Sequence, residues 1–311
     1  MRFLQNIIRW FILWPLGAVL VYGLVGISAI LPVSVSSAGL GWFIATIAPW
    51  TPWHGRAVRN FTLALPEYSA SDQRRILKRM WWNIGRNLGE YIHAARLSVS
   101  PRVTLKGEVA LLSNLPQILS NGGFVISAHL GNWELGTAPL MRHGIPFASV
   151  YRKLNNPLVT ALLQKRLRFA KAVYAKGMES ARGIVDVARK KQVLTLVVDQ
   201  KLREGLPIPF FGRLATTPVS YIKTAIKYDL PIIMIRVERT KGCHFIVHVQ
   251  ELDLGSNKNK DTSEATQRQI ATAINAEIER WIRETPDQWF WPHRRWPESK
   301  GEMPLASAND G

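Results

Sequence analysis

Gly123-Phe124-Val125-Ile126-Ser127-Ala128-His129-Leu130-Gly131-Asn132-Trp133-Glu134 is the stretch whose reading decides the fold. Its first half is a short apolar run of the kind that forms a buried strand, and Gly131-Asn132 suggests a turn into a helix. A buried strand, a turn and a helix make the repeating step of an α/β protein, whose ligands sit in loops at the carboxyl ends of strands. His129 is delivered at such an end, and Glu134 follows five residues on, near enough to reach back to one imidazole nitrogen. A carboxylate so placed fixes the tautomer and stabilises the imidazolium while the other nitrogen takes a proton. The same spacing also fits a histidine satisfied by a local carboxylate at a helix start.

Outward from this stretch, strand and helix patterns alternate. Residues 69–97 carry Ile76, Leu77, Met80, Trp81, Ile84, Leu88 and Ile92 at helical spacing, with Ser69 or Ser71 able to cap the start. Residues 146–151 read as a strand, Asn156-Pro157 opens a helix, 178–191 is another, and 193–199 is a buried strand ending on Asp199. Thr217-Pro218 starts a helix to about Tyr228. Residues 231–238 and 244–250 pair across Lys241-Gly242, and 261–284 closes with Ile270, Ile274, Ile278, Trp281 and Ile282 on one face. The pattern predicts an α/β fold, a mixed, largely parallel sheet covered by helices.

The N-terminal part has a different character. No Asp, Glu, Lys or Arg lies between Arg9 and Arg56, and residues 10–31 are long enough to cross a hydrocarbon core of ~30 Å as a helix. The run is too long for a signal peptide and no small-x-small site closes it before the second apolar stretch, 40–53. Either that second stretch is a re-entrant or interfacial helix returning the chain to the same face, or the chain spans once with its N-terminus outside; both give the main domain the same location. Arg56, Arg59, Arg74, Arg75, Lys78 and Arg79 follow, which by the positive-inside rule keep the main domain cytoplasmic. The expected organisation is a membrane-anchoring segment (1–55), a helical lead-in (56–100), a catalytic domain (101–297) and a disordered tail (298–311).

The 311 residues carry 40 Lys plus Arg against 22 Asp plus Glu, a net charge of +18, so an anionic partner is expected. Twelve tryptophans favour a bilayer edge over nucleic acid, and the arginines are dispersed with no nucleic-acid-binding motif. A single cysteine, Cys243, excludes a disulfide framework and a Cys-rich metal site. His244 and His248 share one strand face, but nothing near them in sequence completes a ligand set, so they read as ordinary strand residues. The block from Trp289 to Trp296 alternates large rings with arginines, which fits either a membrane-interface anchor, the preferred reading, or the packed end of the core.

The His-x4-Glu stretch resembles the motif of the glycerolipid acyltransferase superfamily, and the whole chain resembles the lipid A biosynthesis acyltransferases. The resemblance runs in order through Arg59-Asn60, Leu65-Pro66-Glu67, Asn83-Ile84-Gly85-Arg86, Glu90-Tyr91, Tyr151-Arg152, Asn155-Asn156-Pro157-Leu158 and Arg166-Leu167-Arg168. It continues through Asp199-Gln200, Pro209-Phe210-Phe211-Gly212 and the Trp289–Trp296 block. It implies an inner-membrane O-acyltransferase, with its catalytic domain on the cytoplasmic face and no cofactor or metal. His129 would be the base that deprotonates an acceptor hydroxyl, with Glu134 supporting it. Arg166 would stabilise the oxyanion or hold a phosphate, or else belongs to a solvated helix face with Lys165, Arg168 and Lys171. Asp199 would orient that arginine or the acceptor, or serve as a cap or ion pair, and Arg152 is a phosphate contact. The implied donor is a thioester of acyl carrier protein, whose acidity the net charge suits, although acyl-CoA also carries phosphates. The implied acceptor is an acylated, phosphorylated glucosamine disaccharide. Relatives that acylate other glycolipids, including mannosylated phosphoinositides, share the motif. A non-catalytic basic membrane scaffold is the remaining alternative.

Overall fold

The computed structural model describes residues 13–151, 156–157, 159–160, 170–175, 177–202, 204–253 and 261–296. Its strands are β1 (Val103–Lys106), β2 (Gly123–Ser127), β3 (Phe147–Tyr151), β4 (Ala172–Ala175), β5 (Val193–Val197), β6 (Leu206–Phe210), β7 (Arg213–Thr217), β8 (Ile232–Lys241) and β9 (His244–Glu251). Seven of them form one sheet in the order β1-β9-β8-β2-β5-β3-β4, while β6 and β7 make a separate hairpin. Within the large sheet only β8 and β9 pair antiparallel. The mixed, largely parallel sheet expected from the sequence is therefore present.

Every residue of β2 is buried because the strand is central, with β8 on one side and β5 on the other and apolar layers on both faces. Phe124 and Ile126 point into one layer and Val125 into the other. A strand covered on both faces needs an unbroken apolar run rather than alternation, which is what residues 123–128 supply. The short strands β1, β4, β6 and β7 were not legible in the sequence. β1 and β4 are four residues each at the two sheet edges. β6, which pairs with β7 alone, carries Pro207 and Pro209, residues that argue against a strand but are tolerated in a two-stranded hairpin.

Among the described residues the longer helices before the sheet are α1 (Trp14–Ile30), α2 (Val33–Ile47), α3 (Pro52–Ala64) and α4 (Ala70–Glu90). The break between α1 and α2 differs from the expected boundaries. The second apolar helix begins at Val33, directly after Pro32, rather than near residue 40. Among the described residues, Val33–Trp50 is long and apolar enough to cross a membrane, while the described part of α1 has 17 residues. Proline lacks the N–H that an uninterrupted helix would need and disfavours helical geometry at the residue before it. Residues 1–12 and the tail 298–311, to which the sequence assigned an N-terminal flank and disorder, lie outside the described residues.

α2 packs along α4 at unusually close range. A Cβ at Gly85 would run into the Leu40 carbonyl oxygen, and one at Gly89 into that of Ser36. The Gly85-x3-Gly89 spacing on α4 meets small residues on α2, the arrangement that lets two helix backbones touch. Ser69 caps α4 through its hydroxyl, which accepts from the Asp72 N–H at 3.1 Å. α4 thus joins the apolar N-terminal pair to the sheet.

Candidate active site

Strand register brings the first two site residues together. Ser127 on β2 pairs with Val197 on β5, and the Val198 N–H donates to the Ser127 carbonyl at 2.9 Å. Two residues beyond each member of that pair are His129 and Asp199, so parallel neighbours carry them side by side off the carboxyl edge of the sheet. Asp199 Oδ1 lies 2.7 Å from His129 Nδ1, while Oδ2 accepts from the His129 backbone N–H at 2.9 Å and the Trp289 indole N–H at 2.8 Å.

The Asp199 side chain is fully buried. Burial alone would raise its pKa. The facing His129 charge and its hydrogen bonds, with His293 nearby, outweigh that and hold the carboxyl well below the usual carboxylate range. An ionised Asp199 accepts only, so in the neutral imidazole Nδ1 of His129 carries the proton and Nε2 is the nitrogen left to accept one. From the sequence Glu134 was expected to reach back to one imidazole nitrogen; the carboxylate found at Nδ1 is that of Asp199. Glu134 lies in the 3-10 turn Trp133–Thr137, half-buried. At the other nitrogen, the Gln200 side-chain amide sits 3.2 Å from Nε2. The imidazole keeps 17% of its side-chain surface exposed and is flanked by Trp133, with centroids 5.1 Å apart, and by Phe290 at 6.2 Å.

The loop after His129 is clamped from behind. Gly131 adopts φ +58, and a Cβ there would strike the Val237 carbonyl oxygen, so only glycine fits. Its carbonyl accepts from Asn83 Nδ2 at 3.1 Å and Asn87 Nδ2 at 2.6 Å, and Asn132 Nδ2 donates to Glu90 Oε2 at 2.7 Å. Glu90 is completely buried and forms a two-bonded pair with Arg239, at 2.5 and 2.8 Å. Arg239 also donates to Asn83 Oδ1 and Asn87 Oδ1, and Ser37 of α2 donates to Glu90 at 2.7 Å. A buried ion pair with its other valences satisfied is a positioning device more than a source of stability. It explains why Asn83, Asn87 and Glu90 recur on one face of α4, which helical amphipathicity alone does not require.

The Trp289–Trp296 block belongs to the core, which corrects the interfacial reading. Trp289 and Trp291 are 0% exposed, Trp296 3%, and Arg295 0%. The Arg295 guanidinium lies 4.6 Å over the Phe210 ring and donates to Thr216 O and Thr217 Oγ1. Its burial, opposed by the Asp199 and Glu279 charges, pulls its pKa down to about 10. The alternation that looked amphipathic is a stack of rings closing over Asp199, with the Phe290 N–H donating to the His129 carbonyl at 3.0 Å. Arg152 and Arg166, both expected in the site, lie outside the described residues. His248 bonds Glu238 at 2.9 Å, and no group of three or more His, Cys, Asp or Glu that could hold a metal occurs among the described residues.

A family model described as "Bacterial lipid A biosynthesis acyltransferase" matches residues 4–298. Among curated proteins, the chain is 27% identical to the lipid A biosynthesis palmitoleoyltransferase of Escherichia coli (strain K12), over 77% of each chain. It is 24% identical to the lipid A biosynthesis lauroyltransferase of the same strain, over 76% of each. A lipid A biosynthesis acyltransferase of Haemophilus influenzae is 21% identical over 76% of this chain and 73% of its own.

Proposed function

Because this chain belongs to the bacterial lipid A biosynthesis acyltransferases, and so is an O-acyltransferase with a lipid acceptor, we propose that it performs a late acylation in lipopolysaccharide biosynthesis. The donor is an acyl carrier protein thioester and the acceptor a hydroxyl of a phosphorylated, already acylated lipid A precursor. The observation that carries the mechanism is the His129–Asp199 pair, which leaves Nε2 as the basic nitrogen.

Nε2 takes the proton of the acceptor hydroxyl as its oxygen attacks the thioester carbonyl. The tetrahedral oxyanion collapses, the carbon–sulfur bond breaks, and the imidazolium proton passes to the departing thiolate. Asp199 stabilises the imidazolium in between, and Gln200 yields its place at Nε2 to the hydroxyl. Glu134 supports the same centre from the adjoining turn. Arg166 stabilises the oxyanion or holds a phosphate, and Arg152 contacts a phosphate, as guanidinium suits both tasks. The reaction as written needs no nucleophilic side chain, metal or cofactor.

The apolar pair α1 and α2 is the membrane element of this reading. Trp42, Trp50 and Trp53 are 62, 89 and 60% exposed, as rings at a bilayer edge would be. The bilayer is the inner membrane, with the catalytic domain on its cytoplasmic face. The test is transfer by detergent-solubilised protein to a tetra-acylated lipid A precursor, from lauroyl and palmitoleoyl thioesters of acyl carrier protein and of coenzyme A. One added acyl chain on the precursor, faster from the carrier protein, is expected. No product from any donor would overturn the acceptor assignment, and preference for coenzyme A would overturn the donor.

A further inference from the structure

A groove of about 440 Å³ opens between α4 and the turn joining β8 to β9, lined by Arg79, Trp82, Arg86, Arg239, Thr240 and Asp287 among others. It shares no residue with the His129–Asp199 centre. Three arginines meet there, and two already have carboxylates. Arg79 pairs with Asp287 at 3.2 Å, and Arg239 is taken up by Glu90.

Arg86 differs from both. Its guanidinium lies over the Trp82 indole, 5.8 Å from the ring centre, and its Nη1 is shielded from water without a hydrogen-bond partner. Burial first, and then the charge of Arg239, depress its pKa against the opposing pull of Cys243 and Glu90. A half-buried cation with an unmet donor beside a second cation is an anion site in want of its anion.

The location selects the kind of anion. The Arg86 stem lies against Gly41 of α2, so the guanidinium stands at the margin of the segment long and apolar enough to cross a membrane. Trp42 and Phe43, which follow Gly41 on α2, are exposed. Positive charge in a groove next to uncovered apolar surface matches a molecule that is anionic at one end and apolar at the other.

We propose that this groove binds the phosphate of an anionic bilayer phospholipid through Arg86 and Arg79, with the acyl chains lying along the exposed face of α2. The proposal rests on α2 lying in a bilayer. It stands apart from acyl transfer, because occupancy is read without donor or acceptor. Bound there, the phospholipid braces α4, whose Asn83, Asn87 and Glu90 hold the loop after His129.

The test is calorimetric titration of the full chain in a neutral detergent with dioctanoyl phosphatidylglycerol, dioctanoylglycerol and inorganic phosphate. Saturable binding of the phosphatidylglycerol is expected, with both comparators at least about tenfold weaker. Arg86→Gln should weaken the phosphatidylglycerol by about tenfold or more, the scale of losing a charge-assisted hydrogen bond, and Arg86→Lys by less. Thr240→Glu changes an exposed rim residue outside the core, so it adds repulsion without threatening the fold, and should weaken binding as well. Unchanged affinity in both Arg86→Gln and Thr240→Glu would overturn the site. Equal binding of dioctanoylglycerol would reduce it to an apolar face, and equal binding of inorganic phosphate to a pocket for free anions.

Discussion

Replacing Asp199 by Asn separates the role of its charge from that of its shape. Oδ2 serves two donors, the His129 N–H and the Trp289 indole N–H, while Oδ1 serves only Nδ1 of His129. An asparagine has one acceptor oxygen, and that oxygen satisfies more donors on the Oδ2 side. Its NH2 then faces Nδ1 and donates to it, which moves the ring proton to Nε2, the nitrogen that must act as base. The expected loss is that of a disabled general base, about 10²–10⁴-fold in kcat, or about 3–5 kcal/mol of transition-state stabilisation. The KM for the acceptor should move little, since Asp199 is fully buried behind the histidine. The assay is steady-state transfer with the near-UV circular dichroism of Trp289 and its neighbours as the folding control. An Asp199→Asn variant with a native spectrum and more than about a tenth of the wild-type kcat would refute the tautomer argument.

Other predictions concern the scaffold around the pair. Gly131→Ala should lower the thermal midpoint and activity together, because an alanine at φ +58 must also displace the Val237 carbonyl; a cost of about 2 kcal/mol or more is expected. Glu90→Gln leaves Arg239 buried without its counter-charge and should cost about 3 kcal/mol or more, read as a drop in thermal midpoint. Gly85→Ala drives a methyl into the α2 backbone, so a loss of about 1–3 kcal/mol is expected; an unchanged midpoint would show that α2 and α4 do not need this contact. Glu134→Ala should slow transfer by about 10²-fold, and wild-type rates in it would remove Glu134 from the centre.

Much of the fold was legible because its signals are local. Residues 123–128 announce a strand buried on both faces, and Ser69 sits where a helix begins. The site was only partly legible. His129 stands at a strand end, which sequence can show, whereas its partner depends on β2 lying beside β5 in register. That is a fact about non-local pairing, so the nearer carboxylate, Glu134, looked like the obvious companion. The Trp289–Trp296 block misled for a related reason. Rings interleaved with arginines have the same pattern at a bilayer edge and in a core where Arg295 lies over Phe210 and bonds backbone oxygen. What distinguishes the two cases is the hairpin β6–β7, whose proline-bearing strand hid it from a pattern search. Of the buried network of Asn83, Asn87, Glu90 and Arg239, only Asn83 and Glu90 stood in the blocks that carry the resemblance, and the unit was not legible because its members are up to 156 positions apart.

The role of His129 as base is tested by the initial rate of acyl transfer from acyl carrier protein thioester to the tetra-acylated precursor, wild type against a folded His129→Ala variant. Proton abstraction by His129 predicts a loss of at least about 10²-fold in kcat, with the precursor still bound. Transfer by His129→Ala at a rate near that of the wild type would contradict it and move the base elsewhere.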